Sequence, residues 1–374
     1  MDKFELVIPT LLGLEAFTSR EIRRMGYETS SVEDGRVSFY GDKEAICKAN
    51  IGIRTGERVL IKLGEFKAQS FSELFDNVYE LPWEEWIDKN GAFPVKGYSL
   101  KSKLASIPDC QAIIKKSVAK KLGAKYGIEH LPEDGALYQI QFSIMKDRVT
   151  MMIDTSGAPL HKRGYRQHSN LAPLRETIAA AMVMMSYWKF EYPLLDPFCG
   201  SGTIPIEAAM FKRNIAPGLN REFAAESFDG ISPALWADAR AEATENVHNV
   251  PIEIYASDID RTCTELTLEN ARKAGVDEFI QISCSDARNA FVDKPNGTII
   301  CNPPYGERMG DKKECERLYR DMGKAFERFD NWDKYILVPN EQFESLYGRK
   351  ADKKRKIYNG MLRCNIYQYF KKRR

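Results

Sequence analysis

No apolar run in the 374-residue chain approaches the roughly 20 residues needed to cross a bilayer. The most apolar stretch, Ile178–Trp188, is far shorter, and charges interrupt the first thirty residues, which predicts a cytoplasmic protein. Histidine is scarce, at four residues, and the eight cysteines at 47, 110, 199, 263, 284, 301, 315 and 364 form no CxxC pair. Neither a metal site nor a disulfide scaffold is expected, and the thiols are read as reduced. Charge of one sign is lacking too: 55 Lys+Arg against 53 Asp+Glu leave +2, so only local basic clusters could attract a nucleic acid. Internal repeats and low-complexity tracts are absent. What is present is globular usage, 43% hydrophobic and 29% charged, which excludes a disordered, collagenous or coiled-coil chain. At about 150 residues per domain the length suggests two or three compact units.

The chain begins with a predicted strand at Phe4–Ile8, a helix over Gly13–Met25, a hairpin around Asp34-Gly35, a helix near Lys43–Arg54 and a strand at Arg58–Leu63. This β-α-β-β-α-β order is ferredoxin-like. A second module opens near Ser70 with the helical, aromatic FSELFDNVYELPWEEW, whose rings are read as core. It continues with a strand at Phe93–Leu100, a helix at Ile107–Tyr126 and strands at Leu137–Ile144 and Arg148–Ile153. A polar linker, DTSGAPLHKRGYRQHSN, covers 154–170. Beyond it, strands near Pro193–Asp196, Ile252–Ser257, Ile280–Ser285, Thr298–Cys301 and Lys334–Val338 alternate with helices, including Leu174–Trp188 and Thr203–Met210. That alternation predicts a mostly parallel, doubly wound α/β sheet, closed by an antiparallel hairpin at Asn359-Gly360.

Two motifs carry chemistry. Leu194-Leu195-Asp196-Pro197-Phe198-Cys199-Gly200-Ser201-Gly202-Thr203 places an acid and a Gly-Ser-Gly turn between a strand and a helix. The backbone can there approach a ligand closely, and the acid, which would repel a pyrophosphate, suits a cationic ligand. The spacing is not the G-x-G-x-x-G of a nicotinamide site, since the third residue beyond Gly202 is Pro205. About a hundred residues later, Asn302-Pro303-Pro304-Tyr305-Gly306 ends another strand. The amine of a base is a poor nucleophile because its lone pair is delocalised into the ring. The Asn302 side-chain carbonyl and the Pro303 main-chain carbonyl could accept its two N–H bonds, drawing it toward tetrahedral geometry and aiming the lone pair at a methyl donor. Tyr305 can stack on an extruded base, and the Pro-Pro pair stiffens the turn. Cys301 invites a covalent reading, but no neighbouring base would activate it, so Cys301 and Cys199 are taken as packed thiols.

DPFCGSGT followed by NPPY resembles the cofactor loop and catalytic motif of class I S-adenosylmethionine-dependent amino-methyltransferases acting on nucleic-acid bases. The family layout implies that Asp258 in IYASDID, with Ile259 beside it, meets the cofactor ribose. It also implies that Asp286 in ISCSDAR, followed by Ala287, meets the adenine. Lys212–Val250 inserts before Asp258, where about 20 residues would be usual, which leaves Asp260 a rival ribose ligand. LHKRGYR, APLRETIAAAM, IAPGL and YNGMLRC narrow the resemblance to bacterial THUMP-domain methyltransferases related to the large-subunit rRNA guanine-N2 enzymes. The resemblance implies a ferredoxin-like module over 1–64, a THUMP RNA-binding module over 65–155, a linker over 156–170 and a Rossmann-like methyltransferase domain over 171–374. It implies an RNA partner, S-adenosylmethionine as cofactor, no metal and no membrane. NPPY alone serves adenine N6 of DNA equally well, and a non-catalytic RNA-binding assembly factor would retain the same fold.

Basic clusters are the RNA-binding candidates. On the Ile107–Tyr126 helix, Lys115, Lys116 and Lys120, with Lys121 and Lys125, recur at helical spacing and could meet phosphates or form a solvated face. In the linker, His161, Lys162, Arg163, Arg166 and His168 lie between the two halves of the chain. RKADKKRK at 349–356 and the terminal KKRR could likewise meet phosphates or simply be exposed.

Overall fold

The computed structural model describes residues 3–166, 174–305, 312–360 and 362–371. Two compact units emerge, and the chain passes between them more than once. The first comprises 1–10, 18–160 and 221–242, the second 11–17, 161–220 and 243–374.

The first unit is built on β1 (Phe4–Pro9), α1 (Glu15–Arg24), β2 (Thr29–Glu33), β3 (Arg36–Gly41), α2 (Lys43–Gly52) and β4 (Leu60–Lys67). It continues through α3 (Phe71–Tyr79), β5 (Val95–Leu100), α4 (Ile107–Tyr126), β6 (Ile140–Met145) and β7 (Arg148–Asp154). Side-chain caps start the helices where the sequence supplies them: Asp42 accepts from Ala45 N, Ser70 from Glu73 N and Ser106 from Asp109 N. All seven strands share one sheet in the order β2-β3-β1-β4-β7-β6-β5. The ferredoxin-like and THUMP-like stretches are therefore joined through the antiparallel β4–β7 pair, whose register shifts between Lys62 and Gly64.

The second unit contains α5 (Glu176–Ser186), β8 (Leu194–Asp196) and α6 (Thr203–Lys212); α7 (Pro233–Glu245) then lies largely in the segment that counts with the first unit. There follow β9 (Ile254–Asp258), α8 (Arg261–Lys273), β10 (Ile280–Cys284), β11 (Gly297–Cys301), α9 (Lys312–Ala325), β12 (Trp332–Val338), α10 (Phe343–Tyr347), β13 (Lys353–Asn359) and β14 (Leu362–Tyr369). The sheet order is β10-β9-β8-β11-β12-β14-β13, parallel from β10 to β12 and antiparallel in the β13–β14 hairpin. Helices cover both faces. One core gathers α5 and α6 around Ile178, Met182 and Ile206, and the other gathers α9 and α10 around Tyr319, Met322 and Phe343. Between β8 and its neighbour β11 the strand order reverses, and open α/β sheets bind ligands at the strand carboxyl ends beside such a point. Among the described residues, no helix is long and apolar enough to cross a membrane.

Candidate active site

A cavity of about 910 Å³ opens at those carboxyl ends. Its walls include Asp196–Ser201 and Thr203 from the glycine turn, Asp258–Asp260 after β9, Asp286–Arg288 after β10, and Asn302 and Pro304 after β11. Residues that the sequence scatters over more than a hundred positions thus meet in one space.

The glycine turn is held by other elements. Gly200 and Gly202 both take positive φ, +54° and +82°, which a side chain disfavours. Gly200 N donates to Asp258 Oδ2 at 3.0 Å, and Cys199 N donates to Ser257 O at 2.9 Å. From α8, Thr267 Oγ1 donates to Gly200 O at 2.9 Å and Asn270 Nδ2 to Ser201 O at 2.9 Å. Thr267 and Asn270 escape motif reading; the available signal is a pair of polar residues spaced to share one face of an otherwise amphipathic helix. A Cβ built on Gly200 would meet nothing within 4 Å, so the turn leaves open space there.

Asp196 is 1% exposed, and burial pushes its carboxyl pKa well up; the Phe198 N–H, 3.1 Å from Oδ1, opposes this and the Asp258 charge adds to it. A buried acid beside an open cradle fits a ligand that brings positive charge. Asp258 also accepts from Asp260 N at 3.0 Å, whereas Asp260 Oδ1 caps α8 by accepting from Thr262 N and Oγ1 at 2.8 and 2.7 Å. Asp286 is engaged by the Arg288 guanidinium, whose hydrogen bonds hold its pKa below the usual carboxylate range. Ile259 is 68% exposed, unusual for isoleucine, and lines the cavity with the buried Ala287. Burial raises the pKa of both Cys199 and Cys301, which keeps them protonated and agrees with packed thiols rather than a nucleophile.

At the end of β11, Asn302 Oδ1 is buried and has no hydrogen-bond partner among the described residues. A buried acceptor left empty is costly, so this atom is poised for a donor that enters the cavity. Pro304 O accepts from Tyr319 Oη at 3.2 Å, and Tyr305 Oη accepts from Asn359 Nδ2 at 3.3 Å. Gly306 lies outside the described residues. A further wall carries no sequence motif: Glu314, Arg317, Leu318 and Asp321, on one face of α9, line the cavity beside Asn302.

The basic candidates separate into two groups. Lys116 and Lys120 are exposed on α4, and Lys162 is exposed as well. Lys115 instead pairs with Glu133 and sits 3.6 Å from the centroid of the Phe93 ring. Arg163 requires correction as an RNA ligand. It is 3% exposed and pairs with the fully buried Glu207 of α6, whose Oε1 also accepts from Tyr165 Oη at 3.2 Å. Arg166 is corrected likewise: it pairs with Glu176 at 2.8 Å and donates to Thr203 Oγ1 and Leu174 O, both at 3.0 Å. Two buried carboxylates consume the charge that the sequence appeared to offer to phosphate. His161 is half-buried, and His168 lies outside the described residues.

Comparison with known proteins matches residues 163–368 to the RMKL-like methyltransferase domain, 5–60 to the RlmL ferredoxin-like domain and 68–154 to the THUMP domain. The "Putative RNA methyltransferase YpsC" of Bacillus subtilis (strain 168) is 45% identical over 100% of this chain and 97% of its own length. The ribosomal RNA large subunit methyltransferase K/L of Psychromonas ingrahamii is 33% identical over 97% of this chain, which spans 49% of that protein. A solved methyltransferase complexed with SAH is 41% identical, covers 100% of both chains and has a TM-score of 0.94. The chain belongs to the THUMP-bearing, RMKL-like family of S-adenosylmethionine-dependent methyltransferases.

Proposed function

We propose that the protein methylates the exocyclic amine of a base in RNA, and that the base is guanine, modified at N2 in large-subunit rRNA. The observation that carries the reading is Asn302 Oδ1, buried and without a partner among the described residues, in the cavity that also holds Asp196 and the glycine turn. S-adenosylmethionine supplies an electrophilic methyl group on a sulfonium sulfur. Asn302 Oδ1 and Pro303 O would accept the two N–H bonds of the amine, localise its lone pair and aim it; as the N–C bond forms the S–C bond breaks toward the neutral thioether, and the methylated amine releases one proton to water, so the gain is one of position and needs no covalent intermediate. Tyr305 stacks on the extruded base.

On the cofactor side, Asp196 would meet the cation, and the backbone of Gly200, Ser201 and Gly202 would hold the amino-acid moiety. We assign the ribose to Asp258, which the Gly200 N–H ties to the glycine turn, over its rival Asp260, which caps α8. Asp286 takes the adenine amine with acceptor capacity beyond its Arg288 pair, while Ile259 and Ala287 flank the ring. For guanine, Arg317 offers a donor fork to O6 and N7, and Glu314 an acceptor for N1–H. The THUMP match and the rRNA methyltransferases among the relatives support RNA as the polymer, with Lys116 and Lys120 exposed to meet it.

The test incubates purified protein and labelled S-adenosylmethionine with rRNA, tRNA and genomic DNA from cells lacking the protein, and identifies the product nucleoside by mass spectrometry. N2-methylguanosine in rRNA is expected. N6-methyladenine in DNA would overturn the substrate while preserving the Asn302 chemistry. Cofactor binding with no transfer to any fraction would sink the reading as a methyltransferase of free RNA.

A further inference from the structure

The methyltransferase sheet ends at β13, an edge strand, and 349–356 reads RKADKKRK, six cations and one anion in a chain of formal charge +2. Lysines on an edge strand can serve simply to block strand addition. Three observations go beyond that role.

Lys350, Lys353 and Lys356 are exposed, and none has an ion-pair partner among the described residues. On β14, Arg363 lies opposite Tyr358, on the sheet face that carries Lys356, while Lys353 lies on the other face, so the cations flank the open strand edge from both sides. Its contact with Glu341, at 3.5 Å between two exposed side chains, is of the weak, readily exchanged kind. The third observation is positional. Asn359, the last residue of β13, donates from Nδ2 to Tyr305 Oη at 3.3 Å, so the hairpin tip is tied to the catalytic motif. From Lys353 to Asn359 the strand covers about 20 Å, enough for several successive phosphates. Half-buried Tyr358, with Lys356 Nζ 5.6 Å from its ring centroid, adds an aromatic face at the end nearest the cavity.

We propose that the β13–β14 hairpin is an RNA-phosphate rail. Lys350, Lys353, Lys356 and Arg363 hold the backbone flanking the target nucleotide, and the Asn359–Tyr305 contact fixes the rail's end beside Asn302. The proposal rests on the RNA reading above. It assigns the catalytic unit its own grip on RNA, separate from the THUMP module.

The test uses the full chain, comparing wild type with K353E/K356E/R363E and the milder K353Q/K356Q/R363Q. All three positions are exposed and lie outside the catalytic and cofactor machinery. Binding of transcribed large-subunit rRNA is followed by anisotropy between 50 and 200 mM salt, alongside S-adenosylmethionine affinity and Tm. The expected result is at least a tenfold weaker RNA Kd for the Glu variant and a slope of log K against log salt shallower by about 2 to 3. The Gln variant should show a smaller loss in the same direction, with cofactor affinity and Tm unchanged in both. Wild-type slope and affinity in both variants would overturn the rail. If RNA affinity fell only on K116E/K120E, the rail would fail while the RNA reading stood. Duplex DNA bound through this hairpin, with RNA ignored, would overturn both.

Discussion

Arg166 Nη1 donates to Thr203 Oγ1 at 3.0 Å, so a residue from a stretch that reads as a basic linker fastens the first residue of the helix behind the cofactor turn. The same guanidinium pairs with Glu176 and bonds the carbonyl of Leu174, another cavity-lining residue. Arg166→Ala removes the partner of a carboxylate that is 3% exposed, and breaking such a pair costs roughly 3–5 kcal/mol. Denaturant unfolding should show that loss, together with weaker cofactor binding. An unchanged midpoint with a selective loss of RNA affinity would restore Arg166 to the phosphate-binding group.

Asn302 tests the chemistry. Asn302→Ala removes the unpartnered acceptor but leaves Asp196, the glycine turn and Asp258 in place. Transfer should fall by about 10² to 10³ in kcat, the magnitude typical of losing one preorganised transition-state contact. Calorimetric S-adenosylmethionine affinity should stay within a few-fold of wild type. Parallel loss of both quantities would mean that Asn302 shapes the cofactor cradle rather than the reacting amine.

Local chemistry was legible in the sequence; long-range pairing was not. The α4 helix occupies Ile107–Tyr126 as its periodicity predicts, because that signal lies within the segment. The glycine turn and NPPY converge because an alternating strand and helix pattern brings parallel strand ends to one edge. Arg163 was misjudged because its partner Glu207 lies 44 residues away in a helix whose burial on all sides is a tertiary property. The α9 wall was hidden for the converse reason: Glu314 and Arg317 look like an ordinary solvated face until the cavity beneath them is seen. Nor does the N-terminal sequence reveal that β4 pairs with β7, which merges two apparent modules into one sheet.

The two glycines of the cofactor turn should fail differently when given a side chain. At Gly202, φ is +82° and a Cβ would lie 2.8 Å from Thr267 Cγ2 and 3.1 Å from Ile206 Cδ1, so Gly202→Ala must displace packed atoms. It should lower Tm clearly. At Gly200, φ is +54° and the Cβ meets no atom within 4 Å, so the folded state loses only roughly 1–2 kcal/mol for the left-handed backbone. The proposed binding mode puts the cofactor's amino-acid moiety against this turn, where Gly200 lines the cavity. Gly200→Ala should therefore weaken S-adenosylmethionine binding by tenfold or more with a modest change in Tm. Equal Tm losses and unaltered cofactor affinity would place the cofactor elsewhere in the cavity.

Asp196 sets stability against ligand binding. Its raised pKa means that the folded, ligand-free chain holds this proton more tightly than the unfolded chain does, chiefly because burial penalises the carboxylate. The sign follows: as pH rises above the unfolded carboxyl value of about 3.9, the unfolded state ionises first and this site contributes progressively less to folding. Asp196→Asn keeps the shape and removes the titration. Without cofactor, the variant should gain Tm over wild type, and the gain should widen from about pH 4 toward neutrality. With saturating S-adenosylmethionine the order should reverse, because a ligand that binds only the folded chain stabilises wild type in proportion to its affinity, and the variant lacks the charge that meets the sulfonium cation. A gap that does not change with pH, or a variant that still binds the cofactor as tightly as wild type, would remove Asp196 from that role.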